Sequence, residues 1–229
     1  SRLGVRLFDR TSRRVGLTPA GEGLRRDLVP ALAALDRALA ETSELSHAVR
    51  GLLRLGFVLT TEGPALSRLV TAFQARYPGC ELRLQEVDTF DAYRELRRGD
   101  VDVVCNWLAP GEPGLVTGTA FAFYERALAV APGHRLAGEA TVSVEDLANE
   151  EVALLPSSIP PGVYDLISPP RTPSGRTIPR TQPAATINEI LSFVARGRIV
   201  HPTSPDVPIF ARDDIVLVPI SDLPPLPLG

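Results

Sequence analysis

Apolar residues recur along this chain in two different rhythms. Between Thr18 and about Val49, the positions Leu28, Leu32, Leu35, Leu39, Thr42, Ser46 and Val49 are separated by alternating steps of four and three. That is a heptad seam, the spacing by which two helices bury a stripe against each other. Thr18-Pro19 opens it as N-cap and first helical residue, where the N–H that proline lacks would be unpaired anyway. Pro30 predicts a kink near the start. Arg25, Arg26, Asp27, Asp36, Arg37, Glu41 and Glu44 keep the other faces polar, and a lone helix of this length is marginal in water. The pattern predicts a dimerising rod over residues 19–50, with Leu28, Leu32, Leu35 and Leu39 as its seam.

After Arg50 the rhythm shortens. Arg50 to Leu59 is a largely apolar run that predicts a buried strand, and Leu66, Leu69, Val70, Phe73 and Tyr77 then follow the helical period until Pro78-Gly79. Cys80, Leu82 and Leu84 alternate with polar residues as a strand with one buried face. Thr89 is placed to cap a helix carrying Phe90, Tyr93 and Leu96, and Val101 to Cys105 is a third strand. Strand–helix–strand–helix–strand implies a parallel sheet covered by helices, with ligands collecting at the carboxyl ends of its strands. Two more strands are expected between Leu115 and Val130, a short helix capped by Ser143, a strand over Val152 to Leu155, a helix capped by Thr186 and a strand from Ile215 to Ile220. The eight prolines from Pro156 to Pro183 leave room for little beyond a turn of helix near Tyr164–Ile167.

Composition changes this picture in two places. The net charge of −3 hides a gradient: residues 1–26 carry seven Arg against Asp9 and Glu22, a balance of +5, and the remainder is acidic. Leu7-Phe8 and Val15 to Leu17 flank a polar run as the arms of a hairpin with a basic tip, so Arg10, Arg13 and Arg14 are candidates for phosphate or minor-groove contact. Every cation is an arginine, because the chain contains no lysine. No apolar run reaches eighteen residues, so no transmembrane helix is expected, and nothing resembles a secretory leader; the location expected is the cytoplasm. Cys80 and Cys105 read as small apolar fillers, and the opening Ser1 as the start of a fragment.

Candidate chemistry is thin. The three histidines are far apart and no Cys-x-x-Cys occurs, so no metal site is expected; the glycines form no phosphate loop, and no cofactor is expected. His134 has no nucleophile or paired carboxylate placed for it, and Asp100 with Asp102 reads as a solvated pair, so no catalytic residue is assigned. What remains is a cleft. Thr60 and Thr61 lie at a strand end before a helix, where hydroxyls and unpaired N–H groups suit a carboxylate. Asn106 ends the third strand, Trp107 offers an apolar wall, and Ser157-Ser158 and Thr186 occupy corresponding places further along.

Several phrases together resemble one family. Leu7, Phe8, Arg10, Arg13 or Arg14, Leu17, Thr18, Ala20 and Gly21 match the wing that closes the winged helix-turn-helix of LysR-type transcriptional regulators. RGLLRLGF from Arg50, the Phe73-x-x-x-Tyr77-Pro78 helix end, RRGDVDVV from Arg97, Pro132-Gly133-His134-Arg135-Leu136 and Ile199-Val200-His201-Pro202 are similar to phrases of that family's effector domain, with Arg135 in place of a proline. The resemblance implies an α/β fold: a two-lobed periplasmic-binding-protein-like effector domain preceded by a long dimerisation helix and the wing. It also implies that the family's first helices lie before Ser1 and that a further strand and helix follow PPLPLG.

The implied organisation is a wing remnant over 1–18, a linker helix over 19–50 and an effector domain over 51–229. Its lobes would be 51–131 with 203–229, and 132–202, hinged near Ala131-Pro132 and Pro202–Pro205. The implied partners are double-stranded DNA, a small carboxylate effector at Thr60, Thr61, Asn106, Trp107, Ser157 and Thr186, and further copies of the chain as a homodimer or tetramer, with no membrane. A solute-binding receptor of the same fold would need a leader and no basic hairpin. An enzyme on that fold would need a nucleophile or acid/base pair in the cleft.

Overall fold

The computed structural model describes residues 5–11, 14–28, 49–108 and 113–229, with the backbone alone at 8–11 and 14–16. The chain divides into two compact units, residues 1–50 and 51–229. In the first, β1 (Phe8–Thr11) pairs antiparallel with β2 (Arg14–Leu17), Arg10 opposite Val15 and Thr11 opposite Arg14, which is the expected hairpin. Arg13 falls outside the described residues. A helix, α1, runs over residues 19–28. Thr18 caps it: its Oγ1 accepts from the Gly21 N–H at 3.0 Å and donates to the Arg6 carbonyl at 2.7 Å. A Cβ at Gly21 would collide with the Leu7 carbonyl oxygen, so this first turn needs a glycine. Leu28 is exposed; Pro30, Leu32, Leu35 and Leu39 lie outside the described residues.

In the second unit, β3 (Gly51–Val58) stands between β4 (Cys80–Val87) and β5 (Val103–Cys105), parallel to both. A short 3-10 turn over Leu59–Thr61 and α2 (Pro64–Arg76) connect β3 to β4, and α3 (Ala92–Arg98) connects β4 to β5. Thr89 does not cap α3. The N-cap is Asp91, and Gly99 closes the helix in the left-handed conformation. Gly56 sits where sheet and helix crowd: a Cβ there would lie 3.0 Å from Val87 Cγ1 and 3.2 Å from Val104 Cγ2. Asp102 is not simply solvated. The Arg54 guanidinium grips it through two N–H groups, at 2.7 and 3.2 Å, and holds its carboxyl below the usual carboxylate range.

No strand forms over 113–121, and the two expected before Val130 are β6 (Ala122–Tyr124) and β7 (Ala127–Val130). Downstream lie β8 (Val152–Leu154), α4 (Pro161–Ile167), β9 (Arg180–Pro183), α5 (Ile187–Ala195), β10 (His201–Thr203), β11 (Val216–Pro219) and β12 (Leu226–Leu228). Ser143 caps a 3-10 helix over Val144–Asn149 with a reciprocal capping box. The proline-rich stretch thus holds two turns of α4 and a strand, more than its composition suggested.

Two results concern strand pairing. The terminal PPLPLG segment is a strand: β12 pairs with β6, and Leu228 bridges Trp107 on its other side. Leu226 and Leu228 are buried while Pro227, which has no N–H to lose, sits between them. Second, β7 pairs antiparallel with both β10 and β11. Leu128, Val130, Val218 and Ile220 share a core with Leu136, Val144, Leu147 and Ile178, whereas Ala129 of β7 and Leu217 of β11 face the core that holds Leu55 and Trp107. Glu125–Arg126 joins β6, the partner of β12, to β7, the partner of β10 and β11. After β10, Pro208–Phe210 meets Leu59–Thr61 before the chain enters β11.

Gly56→Val should overpack the space between β3 and α3 and destabilise the second unit by about 1–3 kcal/mol. Urea denaturation measures this, and a loss below about 0.5 kcal/mol would show that the helix can move aside.

Candidate functional site

A narrow cavity of about 40 Å³ lies at the carboxyl ends of β3, β4 and β5, against α4, α5 and β10. The first lobe contributes Thr60 from the end of β3, Thr89 and Phe90 from the end of β4, and Asn106 and Trp107 from the end of β5. The second contributes Leu155, Ile159, Val163 and Ile167 around α4, and Ile187 and Ile190 from α5. His201, Pro202 and Thr203 of β10, with Phe210 and Leu226, form the floor. The first wall thus gathers the carboxyl ends of three parallel strands, where such sheets offer a crevice. No charged side chain lines it.

Of the residues expected to bind an effector, Thr60, Asn106 and Trp107 come together here. Trp107 Nε1–H donates to Thr60 Oγ1 at 3.2 Å, Asn106 Oδ1 accepts the Trp107 N–H at 2.8 Å, and the indole meets Tyr124 edge-on. Thr61 is next to the cavity but turned from it: it is 0% exposed, and its hydroxyl faces the Val58 carbonyl at 2.8 Å and that of Cys105 at 3.3 Å. Its local geometry at the end of β3 aims it into the sheet. Ser157 and Ser158 are both exposed, and Ser158 borders a small adjoining hollow beside Thr89 and Asn106. Thr186 is also exposed and accepts the Glu189 N–H at 3.2 Å, which is ordinary capping of α5. Cys105 is a buried filler whose thiol burial pushes up to about 11.

The sequence reading missed His201 and Arg126. His201 is 7% exposed, stacks on Phe210 with ring centres 5.4 Å apart, and faces the cavity. Burial, reinforced by the positive charge of Arg126, pushes its pKa down to about 4. Arg126 sits at the crossing between β6 and β7, 3% exposed; its Nη1 donates to the Leu166 carbonyl at 3.0 Å and its Nη2 to that of Ile167, at the end of α4. Burial lowers its pKa to about 10, so it stays charged at neutral pH. The signals were slight: a histidine in an aliphatic strand before proline, and one arginine at a strand break. Among the described residues, no group of three or more His, Cys, Asp or Glu could hold a metal, and no helix is long and apolar enough to cross a membrane.

This architecture agrees with what the chain is similar to. The LysR substrate binding domain model matches residues 46–229, and the chain belongs to that family. It is 30% identical over 155 residues to the transcriptional dual regulator GltC of Bacillus subtilis, covering 67% of this chain and 51% of GltC. It is 28% identical over 232 residues to the HTH-type transcriptional regulator IlvR of Caulobacter vibrioides, covering 99% of this chain and 77% of IlvR. Among solved structures, the effector binding domain of QuiR in complex with shikimate has the same fold, with a TM-score of 0.63 at 15% identity over 79% of this chain and 87% of that one. The part aligned with GltC thus spans about half of that relative's length.

His201 gives a pH signature. Its folded pKa lies below the usual 6.5, so the stability it contributes is present above about pH 6.5 and lost as pH falls toward 4. At roughly 1.4 kcal/mol per pH unit this interval amounts to about 3 kcal/mol. Urea unfolding at a series of pH values should show that loss in the wild type and not in His201→Gln; parallel curves would place the histidine in a wetter site.

Proposed function

We propose that this chain is part of an effector-controlled transcriptional regulator that works on double-stranded DNA in the bacterial cytoplasm. The observation that carries the reading is the cavity, a mostly apolar space closed from both lobes and floored by the crossing strands, in a chain of the LysR family. A ligand there touches both lobes at once. It therefore favours whichever lobe arrangement gives it more contacts, and can do no more than that difference allows.

DNA contact in this reading belongs to a winged helix of the kind carried by HTH-type relatives such as IlvR. Arg10 and Arg14 sit on the hairpin and, with Arg13 between them in sequence, serve as phosphate contacts, which position a protein without reading sequence. The seam at Leu28, Leu32, Leu35 and Leu39 joins two copies, and a dimer, alone or paired into a tetramer, converts lobe movement into a change of spacing or bend on DNA. The relatives' names support this reading: GltC is a transcriptional dual regulator, IlvR an HTH-type transcriptional regulator, and the QuiR domain was solved with shikimate.

The test uses the full-length gene product on the DNA upstream of its own gene. A metabolite library screened by band shift should contain at least one compound that changes apparent affinity tenfold or more. Ile190→Trp, which fills the cavity from α5, should abolish that response. A response that survives the filled cavity would place the effector elsewhere.

A further inference from the structure

Two arginines from outside α4 hold consecutive residues at its end. The Arg126 guanidinium spans two carbonyls, Nη1 donating to Leu166 at 3.0 Å and Nη2 to Ile167. Arg180 Nη2 donates to the Ser168 carbonyl and, at 2.8 Å, to Asp165 Oδ1. Their settings differ. Arg180 has the Asp165 carboxylate as counter-ion and the Tyr164 ring beneath it. Arg126 is 3% exposed and is paired with no carboxylate among the described residues, so its burial is offset by carbonyl dipoles alone.

A buried charge without a counter-ion is an unfavourable way to finish a helix of seven residues. A neutral donor or a water molecule would satisfy the same two carbonyls at less desolvation cost. Stability therefore does not account for Arg126. What an arginine supplies and those groups do not is a rigid fork, which fixes two oxygens against one plane.

The part so fixed is a wall of the cavity. Val163 and Ile167 line that space one helical turn apart, and the Ile167 carbonyl is one of the two that Arg126 holds. In the other direction, Arg126 belongs to the link between β6 and β7, and β7 pairs with β10, which brings His201, Pro202 and Thr203 to the same space. The positive charge also acts on that floor, where it adds to burial in lowering the His201 pKa. Arg126 itself does not line the cavity.

We propose, on the reading of this cavity as the effector site, that Arg126 is a positioning residue: it ties α4 to the β6–β7 link, so that the wall bearing Val163 and Ile167 moves with β7 and β10 as one body. A ligand that displaces the wall thereby displaces the strands.

The experiment compares the wild type with Arg126→Met, which keeps the side chain's length and removes charge and fork, and with Arg126→Lys, which keeps the charge and loses the fork. Hydrogen exchange on the 229-residue chain measures the tie. In Arg126→Met the amides from Val163 to Ser168 should exchange about tenfold faster, while those from Leu128 to Val130 keep their rates and the urea midpoint is unchanged or raised. Arg126→Lys should restore part of the protection. Unchanged rates over Val163 to Ser168 in Arg126→Met would overturn the tie. So would faster exchange throughout residues 51–229 with a lower urea midpoint, which is what a purely structural arginine gives. If Arg126→Met does not fold, Arg126→Lys carries the test: faster exchange over the same segment at an unchanged midpoint supports the tie, and unchanged rates overturn it. In the full-length regulator, Arg126→Met should bind DNA as the wild type does and lose about tenfold of the effector-induced change in affinity. A loosened α4 with an intact response would overturn the positioning role and leave the effector reading in place. A wild type that answers to no compound, or a response that survives Ile190→Trp, would sink that reading instead and leave the exchange rates to decide the tie.

Discussion

The backbone pairing of the last four residues holds the first wall of the cavity in place. The Asn106 N–H donates to the Gly229 carbonyl at 3.0 Å and the Gly229 N–H returns a bond to Asn106 at 3.2 Å. Leu108 donates to Pro227 and Phe121 to Leu228. These bonds join three segments far apart in sequence, and they carry the line of β5 onward through Trp107 to β12 and β6. A buried wall cannot leave its N–H and C=O groups unpaired, each such group costing on the order of 1–3 kcal/mol. Without β12, the strand end bearing Asn106 and Trp107 would lack partners on one side. Proline is tolerated in that strand because Pro227 need only accept, and its carbonyl does so.

Legibility follows the range of the interactions. The hairpin before Thr18, its cap, the parallel order around β3 and the capped α5 were all readable, because each is decided by neighbours within a few residues or by a simple period. Pairing of β7 with β10 and β11 was not. Ala127–Val130 is apolar on both sides and carries no alternation, so its sequence does not say which lobe buries it. The site divides likewise. Thr60, Asn106 and Trp107 border the cavity, and strand ends before helices are recognisable places. Thr61 does not border it: the 3-10 turn over Leu59–Thr61 sends consecutive hydroxyls to different sides, one onto Trp107 and one onto Val58. Thr186 kept its local role as a cap, which a sequence cannot distinguish from a ligand contact.

Arg126 explains why the crossing strands are more than a tether. Helix α4 has only seven residues, and it starts at Pro161 with no side-chain cap. Its terminal carbonyls are satisfied by a cation from the segment between β6 and β7, where positive charge also complements the helix dipole. Tyr164 fastens the same helix from the other face by donating to the Ala153 carbonyl, and Arg180 lies over its ring at 3.8 Å. The helix that supplies Val163 and Ile167 to the cavity is therefore fixed to the crossing and to β8 together. Movement at the crossing must carry the second lobe's wall with it.

The energy needed to use such a linkage is small. A hundredfold bias between two lobe arrangements requires about 2.8 kcal/mol of differential binding. At roughly 25 cal/mol per Å² that corresponds to about 110 Å² of apolar surface covered in one arrangement and open in the other. One aromatic ring buries more than that, commonly about 150–250 Å². An apolar ligand held between Trp107 and Ile190 has walls from both lobes within reach, so a modest change in their separation exposes or covers an area of this size.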